Sequence, residues 1–98
     1  MKAKKAAAAL KFQDIPNIGP AMAEDFVLLG FKKPFDLTGK DAFALYQKLC
    51  KKTGTGHDPC VLDTIIAAVD FMNGAPPRPW FHYTKDRKKK YSQISRHP

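Results

Sequence analysis

Apolar residues recur at helical spacing in three stretches of the chain, and each stretch is bounded by residues that start or stop helices. In the first, Ala23, Phe26, Val27 and Leu29 follow Pro20, and Gly30 closes the run. Proline in a first turn forfeits no hydrogen bond and glycine serves as the cap, so a helix from Pro20 to Gly30 is predicted. In the second, Asp41 stands as N-cap before Phe43, Leu45, Tyr46 and Leu49, and the pattern runs to Lys52 before Thr53-Gly54 stops it. The third starts at Asp58-Pro59, carries Val61, Leu62, Ile65, Ile66, Val69 and Met72, and ends at Gly74. Ala67 and Ala68 leave little polar surface on it. A helix this apolar forms the centre of a fold or supplies a dimer contact, and a short chain has few other candidates for its centre.

The segments between these helices are less regular. Phe31 to Leu37 reads as a connector with a short helical turn, its Phe31, Phe35 and Leu37 sealing the underside of the core. Lys32 and Lys33 within it either face a bound polyanion or form a solvated basic turn. Ala75-Pro76-Pro77-Arg78-Pro79 cannot continue a helix and should run extended. Trp80-Phe81-His82-Tyr83 then folds back so that its rings cover the core, the alternative being a platform for stacking unpaired bases. The expected architecture is all-α, a compact domain of four to five helices over residues 11–84. A basic, alanine-rich extension (1–10) precedes it and a basic disordered tail (85–98) follows.

Charge changes the picture because of where it sits. The 98 residues carry a formal charge of +8, which suggests an anionic partner. Lys2, Lys4, Lys5 and Lys11 supply four of these charges, and residues 85–98 hold six basic groups against Asp86. Residues 12–84 hold seven basic groups against eight acidic ones, so the globular part is close to neutral. The alanine run before Leu10 is too short for a signal peptide and is ended at once by Lys11, and no stretch approaches the roughly 20 apolar residues that span a bilayer. Two cysteines without an export signal point to a reducing cytoplasm and to no membrane partner.

The turn before the first helix is the most informative stretch. Pro16 pushes Ile15 out of the helical region, and Asn17 and Gly19 suit a sharp reversal. Small residues from Asn17 to Met22 admit close approach, and the first amides of the following helix lack partners within it, which makes a phosphate site. The run Ile15-Pro16-Asn17-Ile18-Gly19-Pro20-Ala21-Met22-Ala23 resembles the helix-hairpin-helix motif of DNA repair and replication proteins. That resemblance implies a SAM-like helical fold that grips a DNA backbone phosphate, without reading sequence, through the amides of Asn17, Gly19, Ala21 and Met22. It also implies that a monovalent cation can bind the carbonyls of Gln13, Ile15 and Ile18. Asn17 stands where that family has its first glycine, and the second helix opens without lysine or arginine. Gly54-Thr55-Gly56, with Lys51 and Lys52 beside it, is either a second, degenerate hairpin or an ordinary glycine-rich loop.

Over roughly residues 10 to 85 the chain also resembles the small bacterial pathogenicity-locus proteins, some of them labelled mitomycin-resistance factors. The residues that carry this are Ile15-Pro16-Asn17-Ile18-Gly19, Ala23-Glu24-Asp25, Leu28-Leu29-Gly30, Leu45-Tyr46-Gln47-Lys48-Leu49-Cys50 and Asp58-Pro59-Cys60-Val61-Leu62, with Trp80 and Tyr83 at the end. Cys50, His57 and Cys60, joined by Asp58 or His82, give a loose zinc pattern, but plain buried cysteines are the preferred reading. No nucleophile and base pair is evident, so no enzyme, small-molecule substrate or metal is expected. The function expected is sequence-nonspecific DNA binding at Asn17, Gly19, Ala21, Met22, Lys32 and Lys33. The alternative is a protein-interaction or homodimerisation domain, paired through the helix with Ile65, Ile66 and Val69.

Overall fold

The computed structural model describes residues 2–90. Helix α1 spans Pro20–Leu28, α2 Ala42–Thr53, α3 Pro59–Met72 and α4 Thr84–Lys90. Single 3-10 turns at Ala6–Ala8, Phe12–Asp14, Pro34–Leu37 and Trp80–Tyr83 join and flank them, and no strand occurs among the described residues. The protein is all-α.

Punctuation sets the three longer helices. Asp41 accepts hydrogen bonds from the amides of Phe43 (2.9 Å) and Ala44 (3.2 Å), the N-cap its position predicts. α1, α2 and α3 all end in one motif. A glycine with positive φ (Gly30 99°, Gly54 70°, Gly74 111°) lets the next residue's amide reach back to a carbonyl five residues earlier. The bonds are Phe31 to Phe26, Thr55 to Cys50 and Ala75 to Asp70, at 3.1, 3.2 and 3.1 Å. The two middle 3-10 turns share another device. Asp14 accepts from the amides of Leu10 and Lys11, and Asp36 from those of Lys32 and Lys33. These main-chain donors, Lys11 first for Asp14 and Lys32 first for Asp36, hold both carboxyls below the ordinary aspartate value.

α3 is the axis of the core. Leu62, Ile65 and Ala68 are fully buried, with Val69, Phe71 and Met72 nearly so. It packs against α2, against Pro34–Leu37 and against Trp80–Tyr83. Phe26 of α1 fills the remaining side, its ring 5.4 Å from that of Phe12 and 6.4 Å from that of Phe31. Ile65 and Val69, the residues suggested for a dimer contact, are therefore spent on the chain's own interior, and Ile66 is half-buried.

Four expectations change. The segment before the Pro16 turn, which the helix-hairpin-helix resemblance implies is a helix, is a three-residue 3-10 turn, because only Phe12 to Asp14 separate the extended Lys11 from the extended Ile15. Residues 1–10 are not a bare extension: Ala9 is buried, Ala3 and Ala6 pack on the core, and the Ala3 amide donates to Asp14 O at 2.7 Å. Phe35 does not seal the core but stands 70% exposed, that task falling to Pro34 and Leu37. Residues 85–90, expected within a disordered tail, form most of α4; residues 91–98 of that tail lie outside the described residues. Fully buried Asp63 orders α4, accepting from Arg87 Nε (2.8 Å), Arg87 Nη2 (3.2 Å) and Thr84 Oγ1 (2.7 Å). Two turns along α3, Asp70 accepts from Tyr83 Oη (2.6 Å) and Arg78 Nη1 (3.3 Å). The two carboxylates fasten the whole C-terminal arm, residues 78–87, to α3.

Candidate nucleic-acid interface

The turn Ile15-Pro16-Asn17-Ile18 closes with the Ile18 amide on Ile15 O at 3.1 Å. Proline at its second position and an asparagine at φ 74° at its third make it a type II turn. Ile15 and Ile18 are both completely buried, so the reversal is anchored from beneath and presents its backbone outward. The first helical bond of α1 runs from the Ala23 amide to Gly19 O. Among the described residues the amides of Asn17, Gly19, Ala21 and Met22 meet no acceptor. Nothing lies within 4 Å of the point where a side chain on Gly19 would begin, and Ala21 is exposed. Pro20 has no amide hydrogen, so Gly19, Ala21 and Met22 are the donors that the N-terminus of α1 can offer an anion.

Asn17 has a second task. Its Oδ1 accepts from the Trp80 amide (3.1 Å) and its Nδ2 donates to Arg78 O (2.7 Å), pairing the turn with the arm much as a strand pairs with its neighbour. A glycine would allow the positive φ but could not make these bonds, which accounts for asparagine here. The clamp sets Trp80 beside the turn. Trp80 and Phe81 do not cover the core as expected: they are 38% and 63% exposed and meet edge to face at 5.7 Å. Only Tyr83 of that aromatic group is buried, held by its bond to Asp70.

The cation nearest the turn is Lys2. Its Nζ donates to Gln13 O at 2.6 Å and to Ile18 O. With Ile15 O accepting from Ile18, all three carbonyls proposed for a monovalent ion already have donors, so the arrangement does not fit a bound metal ion. Lys32 and Lys33 are exposed beyond the opposite end of α1, a nine-residue helix about 13 Å long. The structure brings Asn17, Gly19, Ala21 and Met22 together and leaves Lys32 and Lys33 apart. Sequence reasoning missed Lys2 and Arg78 at this site, since nothing local marks a contact spanning 16 or 61 residues. Acidic Glu24 is exposed in the second turn of α1, and burial pushes the neighbouring Asp25 carboxyl above its ordinary value.

The loop after α2 is built differently. Gly54 caps α2, Thr53 Oγ1 lies 2.9 Å from His57 Nε2, and Tyr46 Oη donates to His57 O. Among the described residues no three His, Cys, Asp or Glu side chains stand close enough to share a metal ion, and Cys50 and Cys60 are free and half-buried. No helix of the described residues is long and apolar enough to cross a membrane.

Fold and site together define a small all-helical domain whose Pro16–Met22 turn is laced to its own C-terminal arm. The chain belongs to the pathogenicity-locus family: the family model described as "Cdd1: Pathogenicity locus" matches residues 5–89. It is 40% identical over 73 residues to the "Mitomycin resistance protein McrB" of Streptomyces lavendulae, an alignment covering 74% of this chain and 70% of that protein. No solved structure matches it significantly.

Proposed function

We propose that the protein is a non-enzymatic, sequence-nonspecific DNA-binding module of helix-hairpin-helix type that holds a backbone phosphate at the Pro16–Met22 turn. The observation that carries this reading is the set of amides at Asn17, Gly19, Ala21 and Met22 that meet no acceptor among the described residues, with open space over Gly19. Lys2 adds a positive charge at the rim of the turn, and exposed Trp80 and Phe81 beside it offer faces on which an unpaired base can stack. The name of the Streptomyces relative supports a role in drug resistance, to which DNA contact would contribute through repair.

The test is a fluorescence-anisotropy titration of labelled duplex and single-stranded oligonucleotides at several salt concentrations. Wild type should bind both at low salt, with affinity falling about 0.9 log units per log unit of salt for each duplex phosphate neutralised. Gly19→Glu should weaken both by at least about tenfold, by placing a carboxylate where the phosphate would sit. Trp80→Ala should weaken the single strand more than the duplex, since stacking contributes about 1–3 kcal/mol per base. No binding by wild type to either oligonucleotide at low salt would refute the proposal.

A second reading, protein contact, is favoured by a different surface from the one the sequence suggested. Leu10 and Phe35 are 79% and 70% exposed around a shallow groove floored by Ala9, Pro34 and Met72. Sedimentation of wild type against Leu10→Ser/Phe35→Ser tests it, a wild-type dimer lost in the variant supporting contact between copies.

A further inference from the structure

We infer that the ammonium of Lys2 is the built-in cation of the Phe12–Ile18 turn, taking the place that a free monovalent ion would need. Carbonyl oxygens that converge at a turn repel one another and call for a positive charge or donors between them. Here Gln13 O and Ile18 O converge on one Nζ, and the third carbonyl, Ile15 O, is closed by the Ile18 amide within the turn itself. An ammonium has three donors and no acceptor. Two of them serve these carbonyls, and the third meets no acceptor among the described residues, so it is available to an incoming anion.

The tether is itself held in place. The Ala3 amide donates to Asp14 O at 2.7 Å, one residue from Gln13, and Ala3, Ala6 and Ala9 pack on the core, so the peptide carrying Lys2 is laid across the turn. Two like charges cannot share these oxygens, so a metal ion enters only when Lys2 leaves. The chain therefore carries a permanent positive charge beside its free amides whichever salt surrounds it. This inference rests on the turn's geometry and not on DNA binding, and it is read without DNA.

The experiment is NMR on the isotope-labelled full chain in potassium, sodium and tetramethylammonium chloride at equal ionic strength. In wild type, the Lys2 ammonium should give an observable cross-peak coupled through its hydrogen bonds to the Gln13 and Ile18 carbonyl carbons. Those carbons should be indifferent to the cation present. In Lys2→Met, which removes the ammonium and leaves the apolar stem, the couplings should vanish. The same two carbons should then shift and acquire a saturable response to potassium or sodium that tetramethylammonium cannot produce. Lys2→Arg should restore indifference. A saturable potassium response in wild type equal to that of Lys2→Met would overturn the inference, as would Gln13 and Ile18 carbons that Lys2→Met leaves unmoved.

Discussion

Asn17 meets two demands that seldom coincide, a left-handed backbone and a side chain that can pair with another peptide. Replacing it separates them. Asn17→Gly keeps the turn and loses two hydrogen bonds, each contributing about 0.5–1.5 kcal/mol, so a loss of roughly 1–3 kcal/mol is expected. Asn17→Ala adds the strain of positive φ, about 1 kcal/mol or more. Urea denaturation should rank the stabilities Asn above Gly above Ala, and a glycine variant as stable as wild type would show that the clamp contributes nothing. Tyr46 shows another demand on a single group. Burial, then the neighbouring Cys50, pushes its phenol from 10.0 up to about 12. A raised value means that the folded state favours the protonated phenol, which donates to His57 O. Its stabilisation is complete below pH 10 and lost as pH rises toward about 12. Stability measured across that window should fall less steeply in Tyr46→Phe than in wild type, with a remaining fall from Tyr83, whose phenol is also raised by burial and by Asp70.

Helices α1, α2 and α3 were legible because local signals agree: Pro20, Asp41 and Pro59 open them, and Gly30, Gly54 and Gly74 close them. α4 was not legible. Lys85 to Lys90 read as a charge run, and what orders it is Asp63, a carboxylate 24 residues before Arg87 that looks like a mere polar interruption in the most apolar helix. The pair is buried on both sides, with Arg87 5% exposed and its Nη1 without a partner among the described residues, so removing one member strands the other. Asp63→Ala should cost about 3 kcal/mol or more, up to the point where α4 undocks and lets Arg87 reach water. Hydrogen exchange should then show the α4 amides opening ahead of α1 and α2. Asp63→Leu combined with Arg87→Met should recover most of the loss, because the desolvation penalty disappears with both charges.

The candidate site is assembled from Lys2, the turn from Gln13 to Met22, and the arm from Arg78 to Phe81, three pieces distant in sequence. Only the middle piece was readable, since its prolines, glycine and small residues specify a turn by themselves, whereas the flanking pieces are recruited by hydrogen bonds that leave no periodicity. The arm in turn depends on the spacing of Asp63 and Asp70. Seven residues are close to two full turns, so both carboxylates leave α3 on the same side. One extra alanine spliced between them would swing one aspartate roughly 100° around the helix relative to the other, although composition and helix propensity would hardly change. In an insertion scan this short interval should be as intolerant as the turn itself, and Trp80 fluorescence in the surviving variants should report an indole released into water. The register of a carboxylate pair on the hidden axis would then decide how an aromatic surface far along the chain is displayed.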